Sequence, residues 1–244
     1  MTSKNFNPSV NLCLIGLVMA LFSACQSGAE RDRQRLEKDP AATADLRKIN
    51  YDLQAQKLIT PENFEKLKAL RLKYPDSEDI EQTLKSALTD REDWETLESL
   101  LKAKAAAERK PEDNILLAQV LIKRGKYEEG LDLLSGLELS TELEVERRSI
   151  ASIAYFNMGD LAEAAANLDA IWEKVTEQKR VGDINLRGMI YFRNKEYEKA
   201  ISTFERSLSI DPDNPSASSQ LSRVYSAMGD AAQAEKYRQL SSAS

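Results

Sequence analysis

Between Gly182 and Pro215, small and apolar residues recur at helical spacing: Gly188, Tyr191, Tyr197, Ala200, Phe204, Leu208 and Ile210. A polar break at Arg193-Asn194-Lys195 divides two runs, and Asp211-Pro212-Asp213-Asn214 ends the second. Such a pattern predicts two amphipathic helices joined by a tight turn. The frame recurs. Leu221, Tyr225, Gly229-Asp230 and Ala234 stand 34 residues after Arg187, Tyr191, Lys195-Glu196 and Ala200. Tyr155, Gly159-Asp160 and Ala164 stand 36 before Tyr191, Lys195-Glu196 and Ala200, which implies two extra residues around Lys179-Arg180. Leu117, Leu121, Gly125, Tyr127 and Gly130 stand 34 before Ala151, Tyr155, Gly159, Leu161 and Ala164. The earliest clear unit holds Leu84, Leu88, Trp94, Leu97 and Leu101, with Leu97 placed 33 before Gly130.

The physical logic is local. Ala or Gly at a crossing point admits the partner helix, aromatics fill the gap beside it, and Gly in the turn supplies backbone freedom. One hairpin cannot bury its apolar face alone, so hairpins of this kind stack. A weaker pattern, with Leu53, Leu58, Phe64, Leu67 and Leu70 and a stop at Tyr74-Pro75-Asp76, predicts a degenerate helix pair over 45–77. The expected repeat domain spans 78–242, and the polar Ser241-Ser242-Ala243-Ser244 tail closes the chain.

The Gly188, Tyr191, Ala200, Phe204 and Pro212 frame resembles the tetratricopeptide (TPR) signature. It departs from that signature at Ile184, where Trp is common, at Arg187, where Leu is preferred, and at Ser207, where Ala is preferred. The resemblance implies an all-α protein, a right-handed α-solenoid of stacked TPR-like hairpins with about five repeats plus the degenerate N-terminal pair. A generic helical bundle is the alternative.

In TPR proteins the first helix of each pair lines a concave groove. Transferred to this frame, one row is Gln119, Ile153, Met189 and Arg223; a second is Ile122, Phe156, Phe192 and Ser226; a third is Lys123, Asn157, Arg193 and Ala227. The resemblance thus implies a partner-binding groove of Gln119, Lys123, Ile153, Phe156, Asn157, Met189, Phe192, Arg193 and Arg223: an apolar floor with an amide and cationic rim, suited to an extended peptide or helix. A structural reading stands beside it, in which Phe156 and Phe192 pack between repeats and Lys123 and Arg193 are solvated turn residues. The Lys/Asn clamp by which some TPR cochaperones hold a C-terminal carboxylate is not matched, since Ile115 and Gln119 occupy its positions. Trp94 and Trp172 read as inter-helix core.

The N-terminus breaks the pattern. Lys4 is the only charge before Glu30, and Leu12 to Phe22 is an apolar run of 11 residues, within the range of a signal-peptide core and shorter than a spanning helix. The string Leu21-Phe22-Ser23-Ala24-Cys25 resembles the lipobox of bacterial lipoproteins, with Phe22 departing from the usual Leu, Val or Ile. That resemblance implies removal of 1–24 as a signal peptide and acylation of Cys25, anchoring the protein to a membrane through lipid. An ordinary signal peptide cut near Ala24 and an uncleaved anchor are the alternatives. Gln26 replaces the Asp that retains many such proteins in the inner membrane, which favours an outer membrane facing the periplasm. Residues 25–44 read as the lipidated cysteine followed by a polar tether.

Composition narrows the function. The chain has 244 residues, 42% of them apolar, with only 9 Gly and 7 Pro, which suits helices. Its net charge of −6, from 34 basic and 40 acidic side chains, offers no basic face for nucleic acid. No histidine is present and both cysteines lie in the first 25 residues, so the body lacks the commonest general base and any thiol ligand for a metal. Neither a phosphate loop nor a nucleophile elbow occurs. These features predict a non-enzymatic, cofactor-free, metal-free chain, and the TPR and lipoprotein resemblances imply a scaffold that binds envelope proteins or peptide segments of them. Homo-oligomerisation through the last repeat, and a glycan-acting enzyme using paired carboxylates, are the competing readings.

Overall fold

A polar residue ahead of proline opens three of the helices. Asp39, Thr60 and Asn214 each accept a hydrogen bond from the backbone N–H three residues on, at Ala42, Asn63 and Ala217. The proline that follows each has no N–H to leave unsatisfied and a φ already set for helix. The computed structural model describes residues 27–55, 59–137, 139–172 and 181–243. Cys25 and the two-residue insertion near Lys179-Arg180 lie outside the described residues.

Among the described residues there are thirteen α-helices and no strand. They are α1 (Gly28–Glu37), α2 (Pro40–Gln54), α3 (Pro61–Lys73), α4 (Glu78–Asp90), α5 (Trp94–Lys102), α6 (Pro111–Lys123), α7 (Tyr127–Leu134), α8 (Thr141–Met158), α9 (Leu161–Asp169), α10 (Val181–Arg193), α11 (Tyr197–Ile210), α12 (Pro215–Met228) and α13 (Ala231–Ala243), with one 3₁₀ turn at Ala106–Glu108. The chain divides into two compact units after Leu97.

In the first unit, α2 packs on α3 and α4. Ile49, Leu67, Ile80, Leu88 and Leu97 are its fully buried centre. Within the segment read as a tether, 25–44, the chain is helical from Gly28, and α2 starts at Pro40, ahead of Asp45. The reason is polar, which is why an apolar pattern does not announce it. Asp32 is buried, accepting the Asp76 backbone N–H at 2.8 Å and an Arg35 N–H at 2.8 Å. Arg35 in turn lies over the Tyr74 ring, 5.4 Å from its centroid. Asp39 collects Lys73 Nζ at 2.6 Å, the Ala42 N–H and the Tyr74 hydroxyl at 2.7 Å, and these donors hold its carboxyl well below the usual range. A single buried leucine, Leu36, completes the contact. Replacing Asp32 with alanine is expected to release α1: hydrogen exchange at 28–37 should accelerate at least tenfold while α3 stays protected, since about 1–3 kcal/mol of charge-assisted bonding is lost. Unchanged exchange would leave α1 without its anchor in Asp32.

The second unit is a succession of antiparallel hairpins, α6–α7, α8–α9, α10–α11 and α12–α13, with each first helix also touching the first helix of the next pair. The backbone marks the repeat independently of side chains. Positive φ occurs at Glu92, Gly125, Gly159, Lys195 and Gly229, at intervals of 33, 34, 36 and 34, the same intervals that the apolar frame shows, and once outside this series, at Gly136 after α7. Each residue of the series closes a first helix or opens the turn after it. Gly159 and Gly229 adopt this left-handed cap freely; Lys195 does so at a cost of about 1 kcal/mol.

The hairpins are also stapled. Ser152 Oγ donates to the Ala164 carbonyl and Ser222 Oγ to the Ala234 carbonyl, both at 2.8 Å, where the small residue lets the helices touch. At the equivalent position in α10 stands Gly188, and the Phe204 ring fills the space that a side chain would take. Early in this unit, Glu98 on α5 is buried and accepts from Lys102 Nζ at 2.7 Å, Lys126 Nζ at 2.9 Å and Arg124 Nη1. Burial pushes its carboxyl up, but those hydrogen bonds outweigh burial and bring it down to about 2. One carboxylate therefore ties α5 to the turn between α6 and α7.

Candidate functional site

The first helices of the second unit share a face on which three rows of residues were expected. The structure gives that face two built contacts between successive helices. Arg193, in the last turn of α10, lays its guanidinium 3.9 Å from the centroid of the Phe156 ring on α8. Its Nη1 also donates to the Phe156 carbonyl at 2.9 Å. That carbonyl belongs to the last turn of α8, where partial negative charge favours a cation. One helix further on, Arg223 of α12 lies 5.6 Å from the Phe192 ring centroid on α10 and donates to Gln220 Oε1 at 2.9 Å. So the Phe row and the Arg positions interlock: each ring is roofed by an arginine from the following repeat.

The remaining residues complete a partly apolar surface. Ile153 is 39% exposed, an uncommon state for isoleucine in the middle of a helix. Met189 is half-buried and packs against the cores on both sides of it. Phe156 is buried, whereas Phe192 is half-buried and meets the Tyr197 ring at 6.0 Å. Asn157 is exposed, and its amide donates back to the Ile153 carbonyl. Gln119 and Lys123 stand on α6, half-buried and exposed respectively, apart from the Phe–Arg contacts.

The electrostatics of the two arginines set them apart. Arg124, Arg147, Arg148, Arg187 and Arg238 each hold a carboxylate. Among the described residues, no carboxylate pairs with Arg193 or Arg223; their partners are a ring, a carbonyl and an amide oxygen.

Sequence reasoning expected Trp172 in the core. Instead it is half-buried, with Arg187 4.1 Å and Arg206 5.8 Å from its ring. Arg187 also pairs with Asp169. This explains the departure from Leu at that position: an arginine stem packs like an aliphatic residue while its head stacks on the indole. A cleft of about 400 Å³ opens beside this stack. The first unit has its own cleft of about 620 Å³, bordered by Arg33, Arg47, Asn50 and Thr83 among others, but Arg33 is committed to Glu37 and Thr83 to Asn50. Among the described residues, no group of three metal-ligating side chains occurs, and no helix is long and apolar enough to cross a membrane.

A family model described as tetratricopeptide repeat matches residues 191–237, from the end of α10 into α13. No curated protein matches the chain. Among solved structures, the chain is similar to one described as the APC/C hetero-tetramer Cut9-Hcn1, with 15% identity and a TM-score of 0.69 over 87% of this chain and 42% of that one. It is also similar to a MamA RS-1 ArsTM double mutant, with 16% identity and a TM-score of 0.52 over 66% and 90% of the two chains. A crystal structure of MamA protein matches at 20% identity and a TM-score of 0.50, over 66% and 88%. Likeness at these identities concerns the fold, and the chain is an all-α assembly of TPR-like hairpins.

Proposed function

We propose that this protein is a docking scaffold. It captures protein partners on the face formed by α8, α10 and α12, and a lipid on Cys25 holds it at a bacterial membrane surface, the outer membrane facing the periplasm. The observation that supports docking most directly is that face itself: Ile153, Met189 and Phe192 leave apolar surface open between two arginines that pair with no carboxylate among the described residues. Stacked helix pairs recur as protein-docking surfaces, and the similarity in fold points the same way. The anchor rests on the Leu21-Phe22-Ser23-Ala24-Cys25 string and the apolar run before it. Binding rather than catalysis is the proposed work, in an assembly of the cell envelope.

A second reading has one specific observation behind it. Leu240, on the last helix, is a large apolar side chain 47% exposed, so a second copy of the chain is a candidate partner there.

In-cell crosslinking with mass spectrometry tests both halves. Ile153→Glu is expected to remove most envelope-protein crosslinks to α8–α12 while leaving the far-UV circular dichroism spectrum intact. Cys25→Ser is expected to move the protein from the membrane pellet to the soluble fraction. Crosslinks that survive Ile153→Glu would exclude this face as the docking surface, and a wild-type protein that takes up no labelled fatty acid would exclude the lipid anchor.

A further inference from the structure

Resting on the docking face proposed above, we infer that its occupant is an extended acidic segment of a partner protein, with two carboxylates four residues apart seated on Arg193 and Arg223. Charge is the first argument. The whole chain carries −6, yet the three rows on this face hold Lys123, Arg193 and Arg223 and no acid among twelve positions. The nearest acids in sequence are committed elsewhere: Asp160 and Asp230 cap the N–H groups of Glu163 and Gln233, and Glu196 holds Lys199 at 2.5 Å. Glu146, on α8, is two turns before Ile153, roughly 10 Å along the helix.

Pre-organisation is the second argument. An arginine lying over a ring keeps N–H groups free for a partner, and a carboxylate is the planar acceptor that matches them. Arg193 spends one of its five N–H groups on the Phe156 carbonyl, and Arg223 spends one on Gln220. The ring and the hydrogen bond hold each guanidinium in place before any partner arrives, so little side-chain entropy remains to be lost on binding.

Geometry supplies the spacing. The two arginines stand on consecutive first helices, about 10 Å apart by helix packing, and one helical turn out of step along the axis. Of the spacings near the resulting separation of about 11 Å, only four residues of extended chain, about 13 Å at roughly 3.3 Å each, puts both acids and the residue midway between them on one face. An apolar side chain between the two acids falls toward Ile153, Met189 and Phe192. The occupant is thus read as acid, apolar, acid along one strand-like segment.

Selection from a display library of fully randomised twelve-residue peptides, panned on the full chain at low and at physiological salt, reads the preferred chemistry without assuming a partner. Enrichment of peptides with Asp or Glu at a spacing of four is expected. Arg193→Gln and Arg223→Gln should each weaken a selected peptide about tenfold, Arg193→Lys less, and salt should weaken it further. Enrichment of neutral or basic peptides that Ile153→Glu abolishes would overturn the acidic occupant and leave the docking face standing. Peptides insensitive to Ile153→Glu, or no enrichment at all, would overturn both.

Discussion

Gly188→Leu is expected to cost about 3 kcal/mol and to lower the melting temperature of the second unit by about 10 °C, read by far-UV circular dichroism. Even a Cβ at Gly188 would lie 2.6 Å from the Phe204 ring, and that ring is fully buried between α10 and α12, with no free volume to retreat into. Alanine should already cost about 1 kcal/mol or more for the same reason. The two sites touch, so their effects should not add: Phe204→Leu alone opens a cavity, while Gly188→Ala combined with Phe204→Leu should recover part of the loss. An unchanged melting temperature for Gly188→Leu would mean that the hairpin is not closed as described. The test is sharp because Ser152 and Ser222 occupy the equivalent positions in the neighbouring hairpins and are tolerated there. Size at this position is set by what the partner helix offers opposite it.

Glu98→Ala is expected to lower the stability of the second unit by about 2 kcal/mol at pH 7. The three cations around Glu98 are between 31% and 44% exposed, so they regain water when the carboxylate goes, and the loss stays below that of a fully buried ion pair. The pH dependence has a definite sign. The folded protein holds Glu98 at about 2, below its ordinary value of 4.5. Its contribution is therefore complete above about pH 4.5 and is lost as pH falls from there toward 2. Urea unfolding of the wild type should weaken more steeply across that window than unfolding of Glu98→Gln. Glu144, held low at about 2 by Arg147 and then Arg148 against its burial, acts in the same direction and leaves the variant some residual slope. Equal slopes in both proteins would show that Glu98 is not clamped.

The hairpins were legible in the sequence because the signals that set them are local and repeated. The turn inside each hairpin takes a left-handed residue, and five residues from Glu92 to Gly229 do so at the intervals read from apolar positions alone, with Gly136, after α7, outside the series. Two of these are not glycine, so a search for Gly alone would have missed them. The first helix was illegible for the opposite reason. It is held by Asp32 and Asp39, whose partners Asp76, Lys73 and Tyr74 lie more than thirty residues away, and a charge run looks the same whether it is solvated or docked. On the candidate face, the membership of Phe156, Phe192, Arg193 and Arg223 followed from the frame. That each ring is covered by an arginine of the next repeat did not, since it depends on where two helices pass one another. Arg187 could have been found: a cation in a leucine position calls for a flat apolar partner nearby, and Trp172 is the large aromatic of the preceding repeat.

Trp172 has one more use. The chain has two tryptophans, and they fall on opposite sides of the division after Leu97, Trp94 before it and Trp172 after. Each compact unit therefore carries a single indole emitter. With either one exchanged for phenylalanine, fluorescence follows the melting of one unit at a time. In the second unit, the signal also reports on the guanidinium lying 4.1 Å from the ring, which leaves as soon as α10 moves.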